Sequence, residues 1–153
     1  MQTARFIMHT SEYQARIRYA DTDRMGYLYY GRYAELYEVG RTEMLRNLGM
    51  RYLEMEEQHQ VMLPVASLQM RFIRPATYDE LLLIRTTLLE WPDKFLSFQT
   101  EVLNEAGKLV NEGQVRLAFV DSNTRRSIPA PAFFLDLVRP FFPDGPGHPT
   151  PDR

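Results

Sequence analysis

Only one stretch of this chain carries a sustained helical period, and that restricts the fold more than any other feature. Over residues 30–49, Tyr30, Tyr33, Ala34, Tyr37, Met44, Leu45 and Leu48 recur at steps of three and four, while Arg32, Glu35, Glu38 and Glu43 fall largely elsewhere. Gly49 suits the C-terminal stop. Before the helix, "YQARIRYA" alternates Tyr13, Ala15, Ile17 and Tyr19 with Gln14, Arg16 and Arg18, as a half-buried strand does. After it come a short helical piece over residues 52–58 and four strand-like segments, "PVASLQMRFIR", "DELLLIRTTLLEW", "KFLSFQTEVLN" and "LVNEGQVRLAFVD". "NEAGK" between the last two reads as a hairpin turn, and Gly113 reads as a bulge. "IPAPAFFLDLVRPFF" adds a short C-terminal helix. One long helix and about five strands predict an α+β domain, an antiparallel sheet curved around the helix. Residues 81–89 are apolar on both faces, so we expect a central strand there whose outer side another subunit buries.

At 153 residues the chain fits one domain over residues 1–139, followed by a Pro/Gly-rich tail over 140–153 that we expect to be disordered. A net charge of −2 argues against non-specific nucleic-acid binding, which needs a basic excess. The absence of cysteine removes disulfides, thiolate nucleophiles and Cys-based zinc sites, and fits a reducing compartment. The N-terminal residues lack an apolar core of signal-peptide length, and no run approaches the ~18 apolar residues of a membrane span. The expectation is a soluble cytoplasmic protein.

Between the first strand and the long helix lies "ADTDRMGYLYYGRY", with two acids, Asp21 and Asp23. Two acids there could cap the helix, bind a metal or do chemistry. Aspartate before a helix is among the commonest caps, worth ~1 kcal/mol, and spacing alone favours that reading. Metal sites want three or more ligands, and no partner stands at ligand spacing; His9, His59 and His148 are scattered. We expect neither metal nor cofactor.

The pattern D-x-D-x-x-G-x-x-Y-x-x-x-Y (Asp21, Asp23, Gly26, Tyr29, Tyr33) opening a helix resembles the hotdog-fold acyl-CoA thioesterases of the 4-hydroxybenzoyl-CoA thioesterase family, including its Tol–Pal-associated branch. "RFIRPATYDELLLI" and "LVNEGQVRLAFVD" share the likeness, which spans residues 13–131. The resemblance implies a hotdog fold, dimers with a continuous sheet that often pair into homotetramers, active sites at the dimer interface and an acyl-CoA substrate. It implies that Asp23 is the catalytic carboxylate and that the main-chain N–H of Tyr30 binds the thioester carbonyl. Asp21 remains a turn residue.

That chemistry is coherent on its own. A carboxylate can attack the acyl carbon to give a mixed anhydride, or act as general base for water. Free N–H groups at a helix start stabilise the oxyanion, each worth ~3 kcal/mol in the transition state. Gly26 is expected to let backbone and substrate approach closely. Tyr27 and Tyr29, with Tyr30, are expected to line an acyl pocket, and Arg32 and Lys94 to contact the substrate. Tyr33 and Tyr37 are expected in the core.

Departures from the family pattern are visible. Tyr30 stands where the Tol–Pal branch has His, although the 4-hydroxybenzoyl branch also has Tyr. Arg32 stands where both commonly have Asn. In "EWPDKF" only Lys94 is basic where the 4-hydroxybenzoyl enzyme has basic CoA-phosphate contacts, which leaves Arg71, Arg74, Arg125 or Arg126 as alternatives. The rival readings are a thioesterase acting on acyl-carrier protein and a non-catalytic acyl-thioester binder. A hotdog dehydratase is disfavoured, because no His is placed to pair with an acid in the helix region.

Overall fold

The computed structural model describes residues 9–143. In chain order these form β1 (Thr10–Arg16), α1 (Arg32–Asn47), α2 (Tyr52–Glu57), β2 (Val61–Met62), β3 (Val65–Phe72), β4 (Leu81–Leu88), β5 (Phe95–Leu103), β6 (Leu109–Ala118), β7 (Val120–Asp121) and α3 (Ala132–Val138), with 3-10 turns at Tyr19–Asp21 and Arg139–Phe141. Five strands make one antiparallel sheet in the order β1-β4-β5-β6-β3, and β2 and β7 pair separately. The helix α1 packs on the sheet, mainly across β1 and β4. The fold class is the expected α+β hotdog, an antiparallel sheet with a helix against it.

The helix is two residues shorter at each end than its apolar period. At its start, Arg32 N–H bonds the Tyr29 carbonyl at 2.9 Å and Tyr33 N–H the Tyr30 carbonyl at 3.3 Å, so Tyr30 and Gly31 form a tighter turn ahead of α1. At its end, Gly49 N–H bonds Arg46 O and Met50 N–H bonds Leu45 O, with Gly49 at φ +95°. This pair of reversed bonds is the Schellman stop.

The core has two clusters. One, under the first half of α1, gathers Ile17, Leu28, Tyr33, Tyr37, Leu82, Ile84, Val102 and Val110. The other, under its second half, gathers Met44, Leu45, Met55, Leu96, Phe98, Leu117 and Phe119 and is sealed by Phe134 and Val138 of α3. Near Gly40 the helix lies so close to β4 that a methyl group there would strike Thr86 Oγ1 and press on Ile84.

One expectation changes. Gly113 marks no bulge: it pairs in register with Met70 and Thr100, and the irregularities fall at Val65/Ser67 and Val102/Leu103. Its lack of a side chain instead makes room for Tyr37, whose hydroxyl donates to the fully buried Asn111 Oδ1. The strand expected over residues 81–89 is β4, which lies inside the sheet between β1 and β5 as expected. Leu82, Ile84, Thr86 and Leu88 are buried and the alternate residues are partly covered. The uncovered apolar surface lies on β3, where Val65, Leu68 and Phe72 are exposed, because α1 does not extend over that edge. The part of the expected tail at residues 144–153 lies outside the described residues; Phe142, before it, packs edge-on against Trp91.

Candidate active site

Beyond β1 the chain makes the 3-10 turn Tyr19–Asp21 and then a tight reversal closed by an antiparallel bridge between Thr22 and Leu28. Within it, Asp23 N–H bonds Tyr27 O at 2.8 Å and Gly26 N–H bonds Asp23 O at 3.0 Å. Gly26 sits at φ +84° with no atom within 4 Å of where a side chain would start. The glycine is therefore required by backbone conformation, the left-handed region that L side chains avoid, and not by close approach of another part of this chain.

The reversal orients Asp23. Its Oδ1 accepts the N–H of Met25 at 2.9 Å and of Tyr27 at 3.2 Å, while its Oδ2 has no hydrogen-bond partner among the described residues. The residue is half-buried. One oxygen is thus anchored by two amides and the other is left available.

Asp21, two residues earlier, is buried and engaged on both oxygens. Oδ2 accepts from Arg18 N–H at 2.9 Å and Arg18 Nε at 3.1 Å, Oδ1 accepts from Arg18 Nη2 at 2.9 Å, and Arg32 Nε lies 3.7 Å from Oδ1. Hydrogen bonds from Arg18 hold its carboxyl below the ordinary carboxylate range against the opposing effect of burial. Its carbonyl accepts Tyr29 N–H at 2.8 Å, which ties the reversal to the approach to α1.

At that approach the N–H of Tyr30 has no acceptor among the described residues. It lies just ahead of the positive end of α1, where an anion is favoured. Tyr27, Tyr29 and Tyr30 are all exposed, with the Tyr29 and Tyr30 rings 4.6 Å apart. A hydrogen bond with Tyr30 raises the Tyr29 phenol above its ordinary pKa. Gly31 is a position that sequence reasoning missed: any side chain there would press into the Tyr29 ring. The only signal was a glycine between the tyrosine pair and the helix.

The structure brings Asp23, Gly26, Tyr27, Tyr29, Tyr30 and Arg32 to one end of the molecule. Arg32 faces inward as much as outward, with Nη1 on Glu35 at 3.0 Å and Nη2 donating to the Ala20 carbonyl at 3.2 Å. Lys94 is exposed in the β4–β5 connection, whereas Tyr27 bridges to Thr77 just before the other end of β4. Eight extended residues separate those ends by roughly 25 Å, so one chain does not bring Lys94 to Asp23. Tyr33 and Tyr37 are buried as expected, and burial pushes the Tyr33 phenol up to about 12. No group of three or more His, Cys, Asp or Glu among the described residues could hold a metal ion.

A family model described as "Thioesterase-like superfamily" matches residues 17–138. YneP of Bacillus subtilis (strain 168) is 34% identical over 106 residues, covering 67% of this chain and 73% of its own. The acyl-CoA thioester hydrolase YbgC of Escherichia coli O157:H7 is 31% identical over 106 residues, covering 69% of this chain and 78% of its own. Among solved structures, the DHNA-CoA thioesterase of Staphylococcus aureus superposes with a TM-score of 0.74 at 29% identity, over 88% of this chain and 85% of that one.

Proposed function

The chain belongs to the thioesterase-like superfamily, and from that membership and the geometry above we propose that it hydrolyses acyl-CoA thioesters to the free acid and CoA. The observation that carries the reading is the pairing of a half-free carboxylate, Asp23, with an unengaged amide, Tyr30 N–H, at the start of α1.

Two routes suit this arrangement. In one, Asp23 Oδ2 attacks the acyl carbon, the CoA thiolate leaves and takes up a proton, and water cleaves the mixed anhydride to restore the carboxylate. In the other, Oδ2 takes a proton from water as the water attacks, and the acid and thiol separate in one cycle. In both, the Tyr30 N–H and the helix start stabilise the charge that grows on the carbonyl oxygen. Tyr27 and Tyr29 flank the acyl group, Gly26 keeps the reversal tight, and Arg32 holds the turn while its outer side remains available to the substrate. Lys94 serves as a CoA contact if the partner chain's copy lies across the site.

The open, apolar edge of β3 supports a homodimer, and two dimers make the homotetramer. An unpaired edge strand with exposed Val65, Leu68 and Phe72 invites pairing with a second copy. No helix among the described residues is long and apolar enough to cross a membrane. We propose a cytoplasmic location, with which the absence of cysteine is compatible.

The test is Asp23→Asn assayed for thiol release over a panel of aliphatic and aromatic acyl-CoA substrates. The variant keeps its oligomeric state and loses about a hundredfold or more in kcat, the usual share of a positioned acid–base group. Retention of most of the wild-type rate would remove Asp23 from the mechanism.

A further inference from the structure

Next to the catalytic turn, two tyrosines form a ring stack that the chemistry above does not use. Tyr19 and Tyr78 stack with centroids 4.0 Å apart and planes 14° from parallel, yet Tyr19 is 77% exposed and Tyr78 46% exposed. Neither phenol makes a hydrogen bond to a described residue, so neither burial nor polar pairing accounts for holding them there.

The backbone beneath them is braced. The Tyr19 carbonyl accepts the Thr22 hydroxyl at 2.8 Å and the Thr22 N–H at 3.2 Å. Thr77, beside Tyr78, bridges to Tyr27, and its N–H donates to Glu80 Oε2 at 2.6 Å. Asp79 takes φ +70°, uncommon for a residue with a side chain, and its N–H reaches the Ile17 carbonyl at 2.9 Å. The stack is therefore fixed to both ends of the reversal that carries Asp23. Asp23 lies four residue steps beyond Tyr19, which limits their spacing to about 14 Å.

Cations surround this platform. Arg16 Nη1 donates to the Asp79 carbonyl at 2.7 Å, beside Tyr78. The Arg18 side chain is 70% exposed although it pairs with Asp21. Arg24, at the tip of the reversal, is exposed and has neither a hydrogen bond nor an ion pair among the described residues.

We propose that the exposed Tyr19–Tyr78 stack is the docking platform for the adenine ring of CoA, with Arg16, Arg18 and Arg24 facing its phosphates. A purine prefers an aromatic face already held in place, and guanidinium groups pair readily with phosphate oxygens. The pantetheine arm and pyrophosphate bridge the short distance from the thioester without being fully extended. Such a platform has no use for an acyl chain carried on a protein, which brings no adenine. The inference rests on the acyl-CoA reading.

The experiment compares an acyl-CoA with the same acyl group on pantetheine, which lacks the nucleotide. Tyr19→Ala and Tyr78→Ala each raise KM for acyl-CoA about tenfold, the usual consequence of losing one base-stacking face, with kcat unchanged and acyl-pantetheine kinetics unchanged. Equal losses on both substrates, or an unaltered KM for acyl-CoA in both variants, overturn the platform. Tyr19→Trp supplies a direct readout that does not depend on turnover: its emission is quenched on titration with adenosine 3′,5′-bisphosphate, and no change in emission overturns the proposal. If the wild-type protein hydrolyses neither substrate, the acyl-CoA reading itself fails, a result distinct from either outcome in the variants.

Discussion

At Asp21 every carboxylate oxygen already has an arginine, whereas at Asp23 one oxygen has two amides and the other has none. This difference converts to stability at Asp21. Its carboxyl is held below the unfolded value of ~3.9, so its contribution is complete above that pH and disappears as pH falls through the folded value. Asp21→Asn therefore destabilises the protein at pH 7 by about 1 kcal/mol, discounted for the exposed side of Arg18. In urea titrations the gap from wild type closes below about pH 4. A gap that persisted unchanged at pH 3 would contradict the charge-based origin. Spacing alone could not separate the two acids; the family pattern singled out Asp23, and the distribution of donors within the turn gives a physical basis for distinguishing them. Tyr37→Phe is a second residue-scale case. It removes the donor to Asn111 Oδ1 inside the core, where Asn111 Nδ2 already lacks a partner, and costs about 1–3 kcal/mol in thermal or urea unfolding.

Elements were the most legible part of the sequence, because period two and period 3.6 are written directly in side-chain polarity. The strand segments and both shorter helices lie where alternation and the apolar stripe put them. The start of α1 was less legible: Tyr30 continues the stripe, but the N–H groups there close onto i−3 carbonyls, and side-chain pattern carries no information about that choice. Gly113 was misread for a related reason. A glycine in a strand signals either a bulge or a close neighbour, and only the packing around it, here the Gln69 carbonyl and the Tyr37 ring, decides. The contact between α1 and β4 gives the element-scale prediction. Gly40 is in ordinary helical conformation, where alanine normally helps a helix, yet its added methyl would collide with Thr86 Oγ1. Gly40→Ala lowers stability by about 1–3 kcal/mol through overpacking, and differential scanning calorimetry should record a lower Tm. A raised Tm would mean that α1 can lift from the sheet without loss.

For the whole molecule, β3 carries an exposed apolar face that reading the segments one at a time does not single out. The residues of β4 are apolar on both sides because β4 is central; those of β3 are uncovered because α1 crosses the sheet elsewhere. Which strand lies under a helix depends on strand order, and order cannot be read from segments one at a time. Leu68→Glu places a charge on the exposed β3 face without touching the core. In sedimentation velocity the variant runs as a folded monomer, and acyl-CoA hydrolysis falls about tenfold or more if, as proposed, the site is shared between chains. A dimer of undiminished activity would exclude β3 as the interface.

The two-part core has a further consequence. The cluster under the second half of α1 is closed by α3, while the cluster under the first half borders the Asp23 reversal and has no such cover. Backbone amides at the two ends should then exchange their hydrogens for deuterium through separate openings, with Phe98 and Leu117 in the slower group and Leu28 in the faster one. The reversal could breathe to admit a thioester while the opposite end stays shut, so catalysis and structural integrity would draw on different halves of the same small protein.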